Sequence, residues 1–247
     1  MPVSMAYSGD TRTVTSRLVS LWEKSFFTQR LSTLERTAST DHPSEALYQP
    51  PQRAGASVRQ ALALVESDAD GPGTIPRFRT PAALALTGSS AEALPLVRRA
   101  EQDYPEATFV RTILGPVTRA AIALHGRHSD EALAALAPAT QTELGTMAGL
   151  VPPYLRAQAL LQKGAFADAV KEFQKLVDHR GVDPFAPMIP LAHLGIARAQ
   201  AAAGDLAASR RAYDELFRIW QRADADLAPL VAARAEYARL TGPSTAQ

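Results

Sequence analysis

Four glycines recur along the latter part of this chain at nearly constant spacing: Gly88, Gly126, Gly164 and Gly204. The intervals are 126 − 88 = 38, 164 − 126 = 38 and 204 − 164 = 40 residues. Each separates two helix-length apolar patterns. The clearest are YLRAQALLQKGAFADAVKEFQKL (154–176) and LAHLGIARAQAAAGDLAASRRAYDELF (191–217). A fixed period of this size constrains the fold more than any local propensity. One helix pair cannot enclose its own apolar face, so it must stack on copies of itself. The expected fold is an all-α, right-handed solenoid of helical hairpins with a C-terminal capping helix.

Composition supports helices and removes several function classes. Ala is over-used and aromatics are only 6% of 247 residues. Ala is the strongest helix former, and small side chains let helices approach closely. An apolar fraction of 46% suffices for a core. Net charge is +1, which gives no electrostatic case for nucleic acid or an anionic membrane surface. With no Cys there are no disulfides or thiolate metal sites. No apolar run reaches the roughly 20 residues of a membrane helix, and MPVSMAYSGDTRT lacks the pattern of a signal peptide. The default expectation is a cytoplasmic protein, or an extracytoplasmic one if cut from a membrane-anchored parent.

Three regions are expected. Residues 1–55 form a poorly defined N-terminal segment. In it an amphipathic helix (Val14, Leu18, Leu21, Trp22, Phe26, Leu31, Leu34) precedes a Pro/Ser/Thr-rich linker. Residues 56–240 form the repeat domain and 241–247 a tail. Ser57 caps a short helix; DADGPGTIPRFRTP then breaks regular structure, without the features of a phosphate loop. Helices restart at Thr80-Pro81 and after Ser89-Ser90, with Pro95 weakening the second. Gly115-Pro116 splits the next, and Ser129 caps its partner. In the two clearest units, Leu155, Ala159, Leu160 and Leu161 oppose Phe166, Ala169, Val170, Phe173 and Leu176. Leu191, Leu194, Ala197 and Ala201 oppose Leu206, Tyr213, Leu216 and Phe217. The last helix turns Leu227, Leu230, Val231, Tyr237 and Leu240 inward and Arg234, Glu236 and Arg239 outward, as an end cap requires.

Gly164, Phe166, Ala169 and Phe173 stand in the register of the tetratricopeptide repeat, which this part of the chain resembles. Gly204, Leu206, Ser209 and Tyr213 follow with two substitutions, and Gly88, Ala93 and Val97 with fewer matches. Gly126 and Ala132 fit only with one residue inserted. The period exceeds the family's ~34 residues, so longer connectors are expected. From about residue 80 to residue 240 the chain is also similar to the C-terminal repeat region of membrane-anchored bacterial serine/threonine protein kinases of acidobacterial type. LPLVRRAEQDYP, PPYLRAQALLQKG, EFQKLVDHRGV and AYDELFRIWQRADADLAPLVAARAEYARL carry that similarity. The motifs of a kinase domain are absent from the chain.

No constellation argues for catalysis, a metal or a cofactor. His125, His128 and Asp130 read as an exposed turn. Asp178, His179, Arg180 and Asp183 read as a helix end, where cations favour the dipole. Arg98-Arg99 and Arg210-Arg211 read as solvated faces. The expected function is therefore a protein–protein interaction scaffold, holding a peptide or protein segment in the concave groove lined by front helices. Its contact residues would be Arg156, Gln158, Gln162, His193, Arg198 and Gln200, with the connector PFAPMIP (184–190) as a second contact. The alternatives are a regulatory fragment of a split or truncated kinase, and a self-associating structural module.

Overall fold

The computed structural model describes residues 74–145, 147–184 and 186–241, with side chains from Thr80 onward. The chain divides into two compact units, Met1–Ala38 and Ser39–Gln247, and all described residues belong to the second. The expectations for the 14–34 helix, the linker, the Ser57 helix and the tail lie outside the described residues.

Among the described residues there are nine α-helices and no strand. They are α1 (Thr74–Leu86), α2 (Ser90–Asp103), α3 (Gly115–His125), α4 (Ser129–Ala135), α5 (Val151–Lys163), α6 (Phe166–Asp178), α7 (Met188–Ala202), α8 (Leu206–Ile219) and α9 (Ala228–Thr241). A π-helical turn, Val110–Leu114, leads into α3, and a 3-10 turn, Ala137–Ala139, follows α4. Each helix packs on the next, and α1, α3, α5 and α7 also pack in succession on one another. No described helix is long and apolar enough to cross a membrane.

The hairpin turns are near copies. In each, one residue takes left-handed backbone: Gly88 (φ 86°), Arg127 (60°), Gly164 (82°) and Gly204 (86°). The following amide donates to the carbonyl five residues back: Ser89 to Leu84 (2.9 Å), His128 to Ala123 (2.8 Å), Ala165 to Leu160 (2.9 Å) and Asp205 to Gln200 (3.0 Å). The left-handed residue's own amide reaches three back, as in Gly88 to Ala85 (3.0 Å) and Gly204 to Ala201 (3.1 Å). These bonds satisfy helix-end carbonyls and reverse the chain, and glycine adopts the required backbone without a Cβ penalty. The second turn explains the one-residue misfit at Gly126, which is right-handed at φ −74°. There the turn position is Arg127, one residue later. A non-glycine in that conformation costs about 1–2 kcal/mol, against which glycine's extra chain entropy must be set. Arg127→Gly is therefore expected to stabilise by about 0.5–1 kcal/mol. The readout is a higher urea midpoint at unchanged m-value; a lower midpoint would contradict the turn assignment.

Several local expectations are corrected. α1 begins at Thr74 and runs through Pro81, six residues before the predicted restart. Every residue from Thr80 to Leu86 is buried, and that burial outweighs the lost hydrogen bond at Pro81. α2 is continuous through Pro95, and Ser89 at its start makes no side-chain capping bond. The N-terminal boundary residue of α4 is His128, which makes no side-chain capping bond, and Ser129 is already the first residue of the helix. In α9, Leu230 and Ala233 are buried and Tyr237 and Leu240 half-buried, whereas Val231 is half-exposed and Glu236 turns inward.

One apolar core runs from Leu84 in α1 to Leu230 and Ala233 in α9, with Phe173, Leu176, Tyr213 and Leu216 fully inside. Phe166 is not part of it; this half-buried side chain lies over the Gly164 turn. Phe173 meets Tyr154 edge-on at 6.0 Å between ring centres. Its other side lies on the Gly195 backbone of α7, where a Cβ would stand 2.3 Å from the ring. An aromatic side chain of α6 thus inserts into a small-residue gap in α7.

Candidate functional site

The repeat makes equivalent positions countable from each left-handed residue. Ten, six and two residues before it fall on one helix face, because i, i+4 and i+8 align on a 3.6-residue period. In α3 these are Val117, Ala121 and His125, counted from Arg127. In α5 they are Tyr154, Gln158 and Gln162, counted from Gly164. In α7 they are Leu194, Arg198 and Ala202, counted from Gly204. In α1 the last two are Ala82 and Leu86, counted from Gly88.

A cleft of about 260 Å³ opens on this face between α3 and α5. Leu86, Ala121, His125, Tyr154, Gln158 and Gln162 are its stripe residues, and Leu124 and Leu155 complete its apolar wall. It contains no Asp, Glu, Lys or Arg.

Its polar atoms are held in place from within. His125 Nε2 is 3.0 Å from the Leu86 carbonyl. A carbonyl only accepts, so Nε2 carries a proton and donates. Gln158 Nε2 donates to the Tyr154 hydroxyl (2.9 Å). Gln162 Nε2 donates to the Leu124 carbonyl (3.0 Å), and its Oε1 accepts from Ser129 Oγ (3.2 Å). Burial pushes the Tyr154 phenol up to about 12, partly opposed by the Gln158 hydrogen bond and the Arg198 charge. Tyr154 is therefore un-ionised at neutral pH. Each carboxamide retains one N–H, since its NH2 has two protons and uses one here.

Further along the same face Arg198 is bound by Glu236 of α9, with Nε and Nη2 donating at 2.9 and 2.8 Å. The Tyr213 hydroxyl donates to the same carboxylate at 2.6 Å. Burial alone would raise the Glu236 carboxyl, but these hydrogen bonds and the Arg198 charge hold it below its ordinary value. Burial, then the Glu236 contact, raise Tyr213.

The predicted contact residues thus separate. Gln158 and Gln162 line the cleft, and Arg198 is on the same stripe. Arg156 faces the other way: its Nη1 donates to Glu172 of α6 at 3.1 Å and stands 2.7 Å from Glu143 in the α4–α5 connector. Glu143 is 4% exposed and is also bonded by Lys175 at 3.1 Å. These four charges tie the connector to α5 and α6. His193, half-buried, lies within the influence of Glu215 and Arg218 of α8, and burial lowers its imidazole below the usual range. Gln200, half-buried, lies four residues before Gly204, off the stripe; its Oε1 is buried and accepts no hydrogen bond. In the connector expected as a second contact, Ala186 and Met188 pack inward at 3% and 0% exposed, Pro184 is exposed and Pro187, Ile189 and Pro190 are half-buried; Met188 already begins α7.

Two cleft residues were not named as contacts by the sequence reading. His125 was read as part of an exposed turn, and it is exposed, but as the last residue of α3 it also lines the cleft; Tyr154 was read only as the start of an apolar pattern. Counting four-residue steps back from each turn finds both. No protein-family model, curated protein or solved structure matches the chain significantly. The described residues are thus all-helical, with a cleft free of Asp, Glu, Lys and Arg between α3 and α5.

Proposed function

We propose that residues 74–241 are a tetratricopeptide-like solenoid whose front-helix face binds an extended peptide or protein segment. The observation that carries this is the register of the stripe. Equivalent positions of three successive front helices, set by three near-identical turns, converge on one cleft. Stacked hairpins of this kind leave one long face unfilled, and that face is where such arrays recognise partners. The cleft is smaller than the roughly 300–1,000 Å³ of small-molecule sites, which favours side-chain anchoring over a cofactor. The two carboxamides offer the donors and acceptors that complement a peptide backbone.

Panning a displayed random-peptide library on the full chain is expected to enrich binders. Gln158→Ala should weaken their affinity about fivefold or more, the effect of one lost hydrogen bond or two. Lys171→Ala, on the exposed surface of α6, should leave it unchanged. An absence of enriched peptides, or binding indifferent to Gln158, would end this reading.

A further inference from the structure

We propose that the cleft between α3 and α5 selects an electrically neutral peptide segment, anchored by one aliphatic side chain and held at its backbone by Gln158 and Gln162. This rests on the peptide-groove reading and adds its specificity.

The wall offers no counter-charge. Leu86, Ala121, Leu124 and Leu155 line the volume, and it has no Asp, Glu, Lys or Arg. An ion set against this apolar wall loses water on one side and gains no partner, so an acidic or basic side chain is disfavoured there. Two cations near the face are already paired. Arg198 holds Glu236 through two hydrogen bonds, and Lys163, at the C-terminus of α5, is paired with Asp130. An acidic ligand would have to displace Glu236 from both Arg198 and Tyr213 to gain a cation.

What remains unengaged is suited to an amide. Gln158 Oε1 accepts no hydrogen bond from any described residue and points a free acceptor beside its own second N–H. The His125 ring, tied to the Leu86 carbonyl through Nε2, leaves Nδ1 as its second polar atom. A peptide unit presents one N–H and one C=O, which a carboxamide can match with both atoms. The 260 Å³ volume accommodates a side chain with its flanking backbone and little more.

The experiment uses the full chain and peptides from the displayed library, resynthesised with a fluorescent label. Enriched sequences are expected to share one Leu, Ile, Val or Met and to lack Asp and Glu beside it. Changing that residue to Ala should weaken binding at least about tenfold, as for a lost hydrophobic anchor, and changing it to Glu should abolish it. Gln162→Trp places a large side chain at the exposed edge of the cleft and should also abolish binding while thermal unfolding is unchanged. If Gln162→Trp proves unstable, Gln162→Phe at the same exposed position serves the same purpose and is expected to reduce affinity at least about tenfold. Binders whose shared residue is acidic or basic would overturn the proposal. So would binders that need Gln158 but ignore the filled cleft; in both cases the groove reading itself survives. If no peptide binds, both fall together.

Discussion

Phe173→Ala is expected to destabilise the protein by about 4 kcal/mol, the usual cost of truncating a fully buried phenylalanine. Phe173 has no exposed surface. It meets Tyr154 of its own hairpin on one side and the backbone of the next front helix on the other. The hole left would adjoin main chain at Gly195, which cannot collapse without moving α7, so relaxation should recover little of the loss. Phe166→Ala is the internal control. Its half-buried ring lies outside the core, and about 1 kcal/mol or less is expected for it. Urea unfolding of both variants decides the point. Comparable losses would mean that the register of α6 is rotated from the one described.

That comparison also shows how far the sequence carries. The turn glycines fixed the hairpins at Gly88, Gly164 and Gly204, because left-handed backbone is readable from residue type. The second turn was displaced by one residue because Arg127 adopts that backbone despite its Cβ, which residue type does not signal. Apolar patterning found Phe173 and Phe166 alike, yet only one is in the core. The position two after a turn glycine lies at a helix start, where half of its surroundings are solvent.

The cleft was legible only in part, for a geometric reason. The helix α5 contacts α3, α4, α6 and α7 as well as solvent, so polar residues can occupy more than one face. Arg156 and Gln158 are two residues apart and point to opposite sides, one into an ion cluster and the other into the cleft. Polarity alone cannot separate them; distance from the turn can. Glu236 was misplaced for a related reason. With Val231 counted inward, α9 is turned far enough that its carboxylate faces solvent, whereas the structure turns it to Arg198.

Gly195→Ala tests the stacking itself, because local and tertiary terms have opposite signs there. Gly195 lies in the middle of α7, where alanine is favoured over glycine by about 1 kcal/mol. The added methyl would stand 2.3–2.5 Å from three atoms of the Phe173 ring, closer than carbon atoms can approach. The ring is enclosed and cannot swing aside, so α7 must move away from α6. The net loss is expected to be about 3 kcal/mol, at the upper end of overpacking costs because backbone rather than a flexible side chain must give. Phe173→Leu shortens the intruding group. The double variant should be more stable than the two single losses predict by about 1 kcal/mol or more, as directly contacting sites couple. Gly181→Ala, with no atom within 4 Å of the added carbon, should be close to neutral. If Gly195→Ala instead raises the urea midpoint, helix propensity has won. The aromatic of one hairpin then does not rest on the backbone of the next, and the hairpins do not nest as described.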